Sequence, residues 1–316
     1  MLSASLEFVP RRSGHLIVSE PCVRLTTAYS CYENSYRQPT RTDIPRLVLS
    51  MELPTPDEVA SAPLVYKCGG RRVVSIGDII VKFGETVSLQ QAESTSFVAS
   101  NTTIPVPRIL KVDTIDKWNY IYMTRLPGIP LSECLPSLSA SQLDTIALEL
   151  RGYLDQLRGL RIKDHEQSEF LGSLGGGPCM DKIFCSGRPD RGPFKTETEM
   201  YDNICDRLLD LRSWGKNKPD NYYHILRRMY KENSNHAIVF THGDLSPCNI
   251  LVEEGHVTGI LDWEEAGWYP EYWEYIKAMQ GCVARWETLW PLQIEKFLKP
   301  YDYMRLIDLP VRTRLA

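Results

Sequence analysis

The stretch Val239-Phe240-Thr241-His242-Gly243-Asp244-Leu245-Ser246-Pro247-Cys248-Asn249-Ile250-Leu251-Val252 decides the reading of this chain, together with Val257-Thr258-Gly259-Ile260-Leu261-Asp262-Trp263-Glu264 just after it. Apolar runs lie on either side of Glu254-Gly255, so the two arms are expected to pair as a β-hairpin that turns at the glycine. An acid marks each arm: Asp244 precedes the first and Asp262 ends the second. Asn249 stands five residues after Asp244. A lone Asp or Asn usually makes turn hydrogen bonds and nothing more. Here the three occur in a fixed order around one hairpin.

Phosphoryl transfer explains such an arrangement. One carboxylate must orient or deprotonate the attacking hydroxyl, while a second carboxylate and an amide oxygen hold Mg²⁺ on the nucleotide phosphates. Asp244, Asn249 and Asp262 have the order and spacing of the kinase catalytic loop and its metal-binding Asp. The pattern reads H-G-D-L-x-x-x-N, and Asp262-Trp263-Glu264 stands where protein kinases carry Asp-Phe-Gly. With these motifs the chain resembles the aminoglycoside phosphotransferase and choline kinase-like superfamily of small-molecule kinases, over about Leu53 to Met279. The continuation Gly267-Trp268-Tyr269-Pro270-Glu271-Tyr272-Trp273-Glu274 looks like one large branch of that family.

The resemblance implies an α+β, protein kinase-like fold of two lobes, a small antiparallel sheet followed by a larger, mainly helical lobe. It also implies ATP and Mg²⁺ as cofactors and a small-molecule hydroxyl as acceptor. Asp244 would be the base or hydroxyl-orienting group, with Asn249 and Asp262 as metal ligands. Such a fold needs a lysine on a small-lobe strand and a glutamate on the next helix, because an unbraced lysine would wander off the phosphates. Lys82 ends the Ile79 to Val81 run, and Glu93 follows 11 residues later in a helical stretch, Leu89 to Ser100. By position, Met123, Thr124 and Leu126 would form the hinge, with Thr124 and Leu126 backbone groups on the adenine edge and Met123 behind it.

Outward from these residues the chain divides. Residues 1–52 show little periodicity and are set aside as an N-terminal extension. Residues 53–126 form the expected small lobe. Thr55-Pro56-Asp57-Glu58 has a capping-box signature, and Leu64-Val65-Tyr66, Val73 to Ile76 and Ile79 to Phe83 read as a strand meander. Cys68-Gly69-Gly70-Arg71 is a candidate phosphate-covering turn, although it lacks the G-x-G-x-x-G spacing. Ile104-Pro105-Val106-Pro107 must be extended, and Ile109 to Asp113 and Tyr120 to Thr124 are two further strands. Residues 127–316 form the expected helical lobe, beginning with a second capping box at Ser139 and an apolar helix face through Leu157. Gly172 to Pro193, rich in Gly and Pro, is a candidate functional loop. The aromatic run from Trp268 to Tyr275 is expected to be a helix whose rings pack in the core.

Other features narrow the function. His242-Gly243 replaces the His-Arg of protein kinases, and few residues separate Asp262 from the aromatic run, which disfavours an activation loop and a protein substrate. A nucleotide-binding module without turnover stays as the alternative. His242 is expected to brace the loop, and Glu264 and Glu265 to be structural or solvated acids rather than contacts for a cationic acceptor. The 316 residues carry 36 Lys+Arg against 40 Asp+Glu, so there is no overall basic field for nucleic acid or an anionic membrane. No apolar run approaches the length of a membrane span. Nine cysteines without a C-x-x-C pair fit free thiols in a reducing, cytoplasmic setting.

Overall fold

Thr55 opens helix α1 (Pro56–Ser61) as its spacing predicts. In the computed structural model the Glu58 N–H donates to the Thr55 hydroxyl, and the Thr55 N–H donates to the Glu58 carboxylate at 2.7 Å. This exchange satisfies donors that a short helix otherwise leaves open. The structure describes residues 52–162, 170–185, 190–212, 220–280 and 289–315. Apart from Glu52, the proposed N-terminal extension lies outside the described residues.

Strands β1 (Leu64–Cys68), β2 (Arg71–Ile76) and β3 (Ile79–Gly84) run as a meander, followed by α2 (Gln90–Asn101), β4 (Ile109–Ile115) and β5 (Trp118–Thr124). They make one five-stranded antiparallel sheet in the order β1-β2-β3-β5-β4. The two-residue alternation of a strand sorts its faces. Val81, Phe83 and Tyr122 pack with Val59 of α1 on one face, and Ile121 and Met123 pack with Ala92 of α2 and with Val87, which precedes that helix, on the other. Lys82 pairs with Ile121 and Ile80 with Met123, so Lys82 and Met123 both look toward the α2 side.

The remaining elements are β6 (Ile129–Pro130), α3 (Leu131–Cys134), α4 (Ala140–Gly159), β7 (Gly172–Ser173), α5 (Glu197–Arg212), α6 (Asp220–Glu232), β8 (Ile238–Thr241), β9 (Ile250–Glu253), β10 (His256–Ile260), β11 (Gly267–Pro270), α7 (Trp273–Gln280), α8 (Leu289–Phe297) and α9 (Asp302–Leu315). Ser139 and Gln142 complete the second capping box, at the start of α4. The expected hairpin is present as β9 and β10, with β6 on its edge, while β7, β11 and β8 form another small sheet. One apolar core, from Leu150 and Leu154 of α4 to Trp273 of α7 and Trp290 of α8, holds the helices around these sheets. The fold is therefore α+β, with an antiparallel small lobe and a mainly helical larger one.

The aromatic run departs from expectation. Gly267–Pro270 is strand β11, with Trp268 opposite Phe240, and the helix begins only at Trp273. Pairing with β8 sets this conformation, and a helical pattern within the run cannot foretell a partner that distant in the chain. The rings do enter the core: Trp268, Tyr269, Tyr272, Trp273 and Tyr275 are all buried. Among the described residues no helix is long and apolar enough to cross a membrane.

Candidate active site

The loop between β8 and β9 is shaped by Gly243 and held by its neighbours. Gly243 has φ +78°, and a Cβ there would lie 2.6 Å from the Glu265 carbonyl oxygen, so a side chain would be both strained and obstructed. The His242 and Gly243 N–H groups donate to the Glu274 carboxylate of α7 at 2.6 and 3.2 Å. His242 is fully buried; its Nδ1 accepts from the Asp244 N–H at 3.1 Å, so Nε2 donates to the Leu261 carbonyl at 2.8 Å. Burial pushes the His242 imidazole down, toward its neutral form. It is a brace, as the sequence suggests.

These bonds bring the two acids of the hairpin together. The Asn249 side-chain amide donates to the Asp244 carboxylate at 3.0 Å and to its carbonyl at 2.8 Å, and the Asn249 carbonyl accepts from the Leu261 N–H at 2.8 Å. Asp262 follows directly, in the left-handed region at φ 62°. Asp is among the few side chains that tolerate that region, and such backbone is concentrated at functional sites. Burial raises the Asp244 carboxyl to about 6.

Lys82 reaches this loop from the small lobe. Its Nζ is 2.7 Å from Asp262 Oδ1, 3.2 Å from Glu264 Oε2 and 2.6 Å from Gln91 Oε1. Burial works to lower its pKa, but Asp262 and Glu264 outweigh it and keep the ammonium charged; Lys82 in turn holds Asp262 ionised against its own desolvation. Arg71, directly after the Gly69-Gly70 turn, adds a second bridge with Nη1 2.5 Å from Glu264 Oε1.

The expected Lys82–Glu93 brace is not formed. Glu93 is exposed on α2, whereas Gln91, Ser94, Thr95 and Val98 make the buried face. Two residues along a helix are about 200° around it, so the face that offers Gln91 to Lys82 turns Glu93 to solvent. Lys82 thus takes a neutral partner from α2 and both its carboxylates from the larger lobe.

At the hinge, Met123 is buried on the same sheet face as Lys82. The Thr124 N–H donates to the Arg108 carbonyl at 2.9 Å, while the Arg108 N–H is taken by the Thr124 hydroxyl, leaving the Thr124 carbonyl out of that pair. Leu126 is half-buried just beyond, where its side chain lies against Gly259 of β10.

A second ionic cluster adjoins Asp244. Lys277 of α7 lies 2.7 Å from Glu265 Oε2 and 3.3 Å from Asp181, and Arg312 of α9 donates to both Asp181 oxygens at 2.9 and 2.8 Å and to Asp308. Burial opposes the charge on Asp181, yet Arg312 and Lys277 hold it below the usual carboxylate range. Glu265 is instead lifted by burial to about 7, against the pull of Lys277. Gln91, Lys277 and Arg312 were not singled out by sequence reasoning; Arg71 was named only as part of the candidate phosphate-covering turn, and Glu274 only as the end of the aromatic continuation.

An Mg²⁺ ion suits the donor set. The Asn249 amide nitrogen is spent on Asp244 and one Asp262 oxygen on Lys82, so the Asn249 Oδ1 and the second Asp262 oxygen lie outside those bonds. Both are hard oxygen donors. A cation of this kind binds one or two protein groups plus phosphate and water.

The two-lobed fold is of the protein kinase-like kind, as comparison with known proteins shows. The profile of the phosphotransferase enzyme family matches residues 72–307, and the chain belongs to that family. It is 24% identical over 174 residues to the aminoglycoside 3'-phosphotransferase of Enterococcus faecalis. That match spans 52% of this chain and about half of the relative's length, 56%. Among solved structures, a thermostable variant of aminoglycoside phosphotransferase APH(4)-Ia in ternary complex with ADP and hygromycin B superposes with TM-score 0.54 at 15% identity, over 82% of this chain and 88% of that one. ADP-bound APH(2'')-Ib also superposes with TM-score 0.54, at 11% identity, over 78% of this chain and 80% of that one. These likenesses show a shared fold.

Proposed function

We propose that this protein is an ATP- and Mg²⁺-dependent phosphotransferase that moves the γ-phosphoryl group to a hydroxyl of a small molecule. The observation that carries the reading is the meeting of Lys82 with Asp262 at 2.7 Å beside the loop where Asn249 holds Asp244 at 3.0 Å. Three charged side chains and one amide, drawn from two lobes, match the groups that phosphoryl transfer requires. In this reading residues 53–126 and 127–316 hold the nucleotide between them, with Thr124 and Leu126 backbone groups on the adenine edge and Met123 behind it.

The acceptor oxygen attacks the γ-phosphorus and forms a new O–P bond while the bond to the β,γ-bridging oxygen breaks. The hydroxyl proton passes to the Asp244 carboxylate, and ADP departs with its added negative charge facing Lys82 and Arg71. Asn249 and Asp262 would hold Mg²⁺, which neutralises phosphate charge when bound. Orientation and charge placement supply most of such catalysis. The Asn249 amide keeps the Asp244 carboxylate turned toward the acceptor. The six described cysteines are free thiols, which supports a cytoplasmic setting.

The experiment is ADP release from ATP with hydroxylated metabolites as acceptors. Asp244→Asn serves as the blank. Acceptor-dependent release by the wild type and its loss in the variant is the expected result; equal rates would refute the assignment of Asp244.

A further inference from the structure

A cavity of about 190 Å³ opens beside Asp244, lined by Asp181, Lys182, Ile183, Lys277, Gln280 and Arg312. It shares Asp244 with the nucleotide-side cluster but none of Lys82, Asp262 or Arg71. If the protein is a phosphotransferase, an acceptor whose proton is to reach Asp244 lies here.

The charges around this cavity are not equally available. Asp181 is taken up by Arg312 and Lys277, and Glu265 by Lys277 at 2.7 Å with Lys182 at 3.8 Å. Both acids are sealed in, with side chains 1% and 5% exposed, whereas the Lys182 side chain is 73% exposed. Among the described lining residues, then, the charge that an entering molecule meets first is an ammonium. Apart from Asp244, every described carboxylate at the cavity already has its cation. A polycationic alcohol would have Lys182 against it and, among the described residues, only Asp244 to pair with, and pairing there blocks the carboxylate that must take the hydroxyl proton. Unpaired like charges are how a site rejects a wrong ligand.

We propose, on the basis of the phosphotransferase reading and as a refinement of it, that the acceptor is an anionic alcohol. It presents a carboxylate or comparable acidic group to Lys182 while its hydroxyl lies at Asp244. Lys182 then acts as the residue that selects this class against polyamines. A lysine–carboxylate contact is charge-assisted, and the Glu265 oxygen 3.8 Å away is distant enough to yield its loose hold on Lys182 to the incoming group.

The test uses the full chain with ATP and Mg²⁺ and reads ADP release. Three sets of alcohols are compared: gluconate, malate and mandelate; glucose and inositol; hygromycin B and streptomycin. Stimulation confined to the hydroxycarboxylates, abolished by Asp244→Asn, is expected. Lys182→Glu is expected to raise KM for the best of them tenfold or more, with a much smaller change in kcat. A merely structural role for Lys182 would not split the two constants. Stimulation by the aminoglycosides, or an unchanged KM in Lys182→Glu, would overturn the proposal. So would the absence of stimulation by any hydroxycarboxylate while ATP hydrolysis that depends on Asp244 persists. If no such hydrolysis exists, the phosphotransferase reading itself falls, and this proposal falls with it.

Discussion

Glu264 and Glu265 are neighbours in the chain and belong to two different ionic clusters. Glu264 faces Arg71 and Lys82 of the small lobe; Glu265 faces Lys277, within the larger lobe. In the first cluster the Arg71 and Asp262 side chains are 34% and 31% exposed, and its bonds cross between lobes. In the second, Asp181, Lys277 and Arg312 are nearly sealed from water. The chemistry of the two is the same, an alternation of carboxylates and cations, but their use differs. Charges that line an open cleft can exchange partners when phosphate arrives. Charges closed inside one lobe cannot, and they fix the shape of the wall beside Asp244.

The sharpest way to break this contrast is to remove one charge from each cluster. Asp262→Ala should abolish turnover while the protein stays folded. Asp244→Asn should lower kcat by about 10²- to 10⁴-fold, the usual range for a positioned acid–base group, with nucleotide affinity nearly unchanged by calorimetry. Its wild-type carboxyl, raised by burial to about 6, is protonated below that pH and cannot accept the hydroxyl proton. The rate should therefore fall as pH drops through about 6, and Asp244→Asn should lose this limb.

Arg312→Leu tests the sealed cluster. It strands Asp181 and Asp308 without their guanidinium, and breaking a buried pair from one side costs about 3–5 kcal/mol. A fall in the urea midpoint of corresponding size is expected. A loss of activity with unchanged stability would contradict the structural role.

Arg71→Ala acts on the open cluster and should do the reverse. The Arg71–Glu264 pair is partly buried, but Glu264 keeps Lys82 at 3.2 Å as a cation, so melting should move far less than in Arg312→Leu. KM for ATP should rise roughly tenfold, in line with the ~1.5–3 kcal/mol of a hydrogen bond to a charged group. The smallest effect belongs to Glu93→Gln. Turnover and melting should match the wild type, since Glu93 points to solvent, and a large loss would restore the Lys82–Glu93 brace.

Much of the site was legible because it is local. Asp244, Asn249 and Asp262 flank a single hairpin, and their spacing is written in consecutive residues. The strand that carries Lys82 also declares itself, as the apolar run Ile79 to Phe83, and both capping boxes form where their residues stand. Glu93 shows the limit. Periodicity locates a helix there, but which residue meets Lys82 depends on how α2 is rolled against the sheet, and packing chooses Gln91. Glu264 was legible only as an acid beside Asp262; its bond to Arg71 spans 193 positions, and no local pattern encodes that distance.

By itself, then, the sequence marked the hairpin and both capping boxes through spacing within one element or between adjacent ones, and it pointed to the α+β kinase-like fold through a family resemblance. The tertiary structure alone decided which ions pair across the cleft, why Gly243 must be glycine, and where the charge beside Asp244 lies open. Those features arise where distant segments are brought within hydrogen-bond reach. Burial then separates the charges that can still exchange partners from those that cannot.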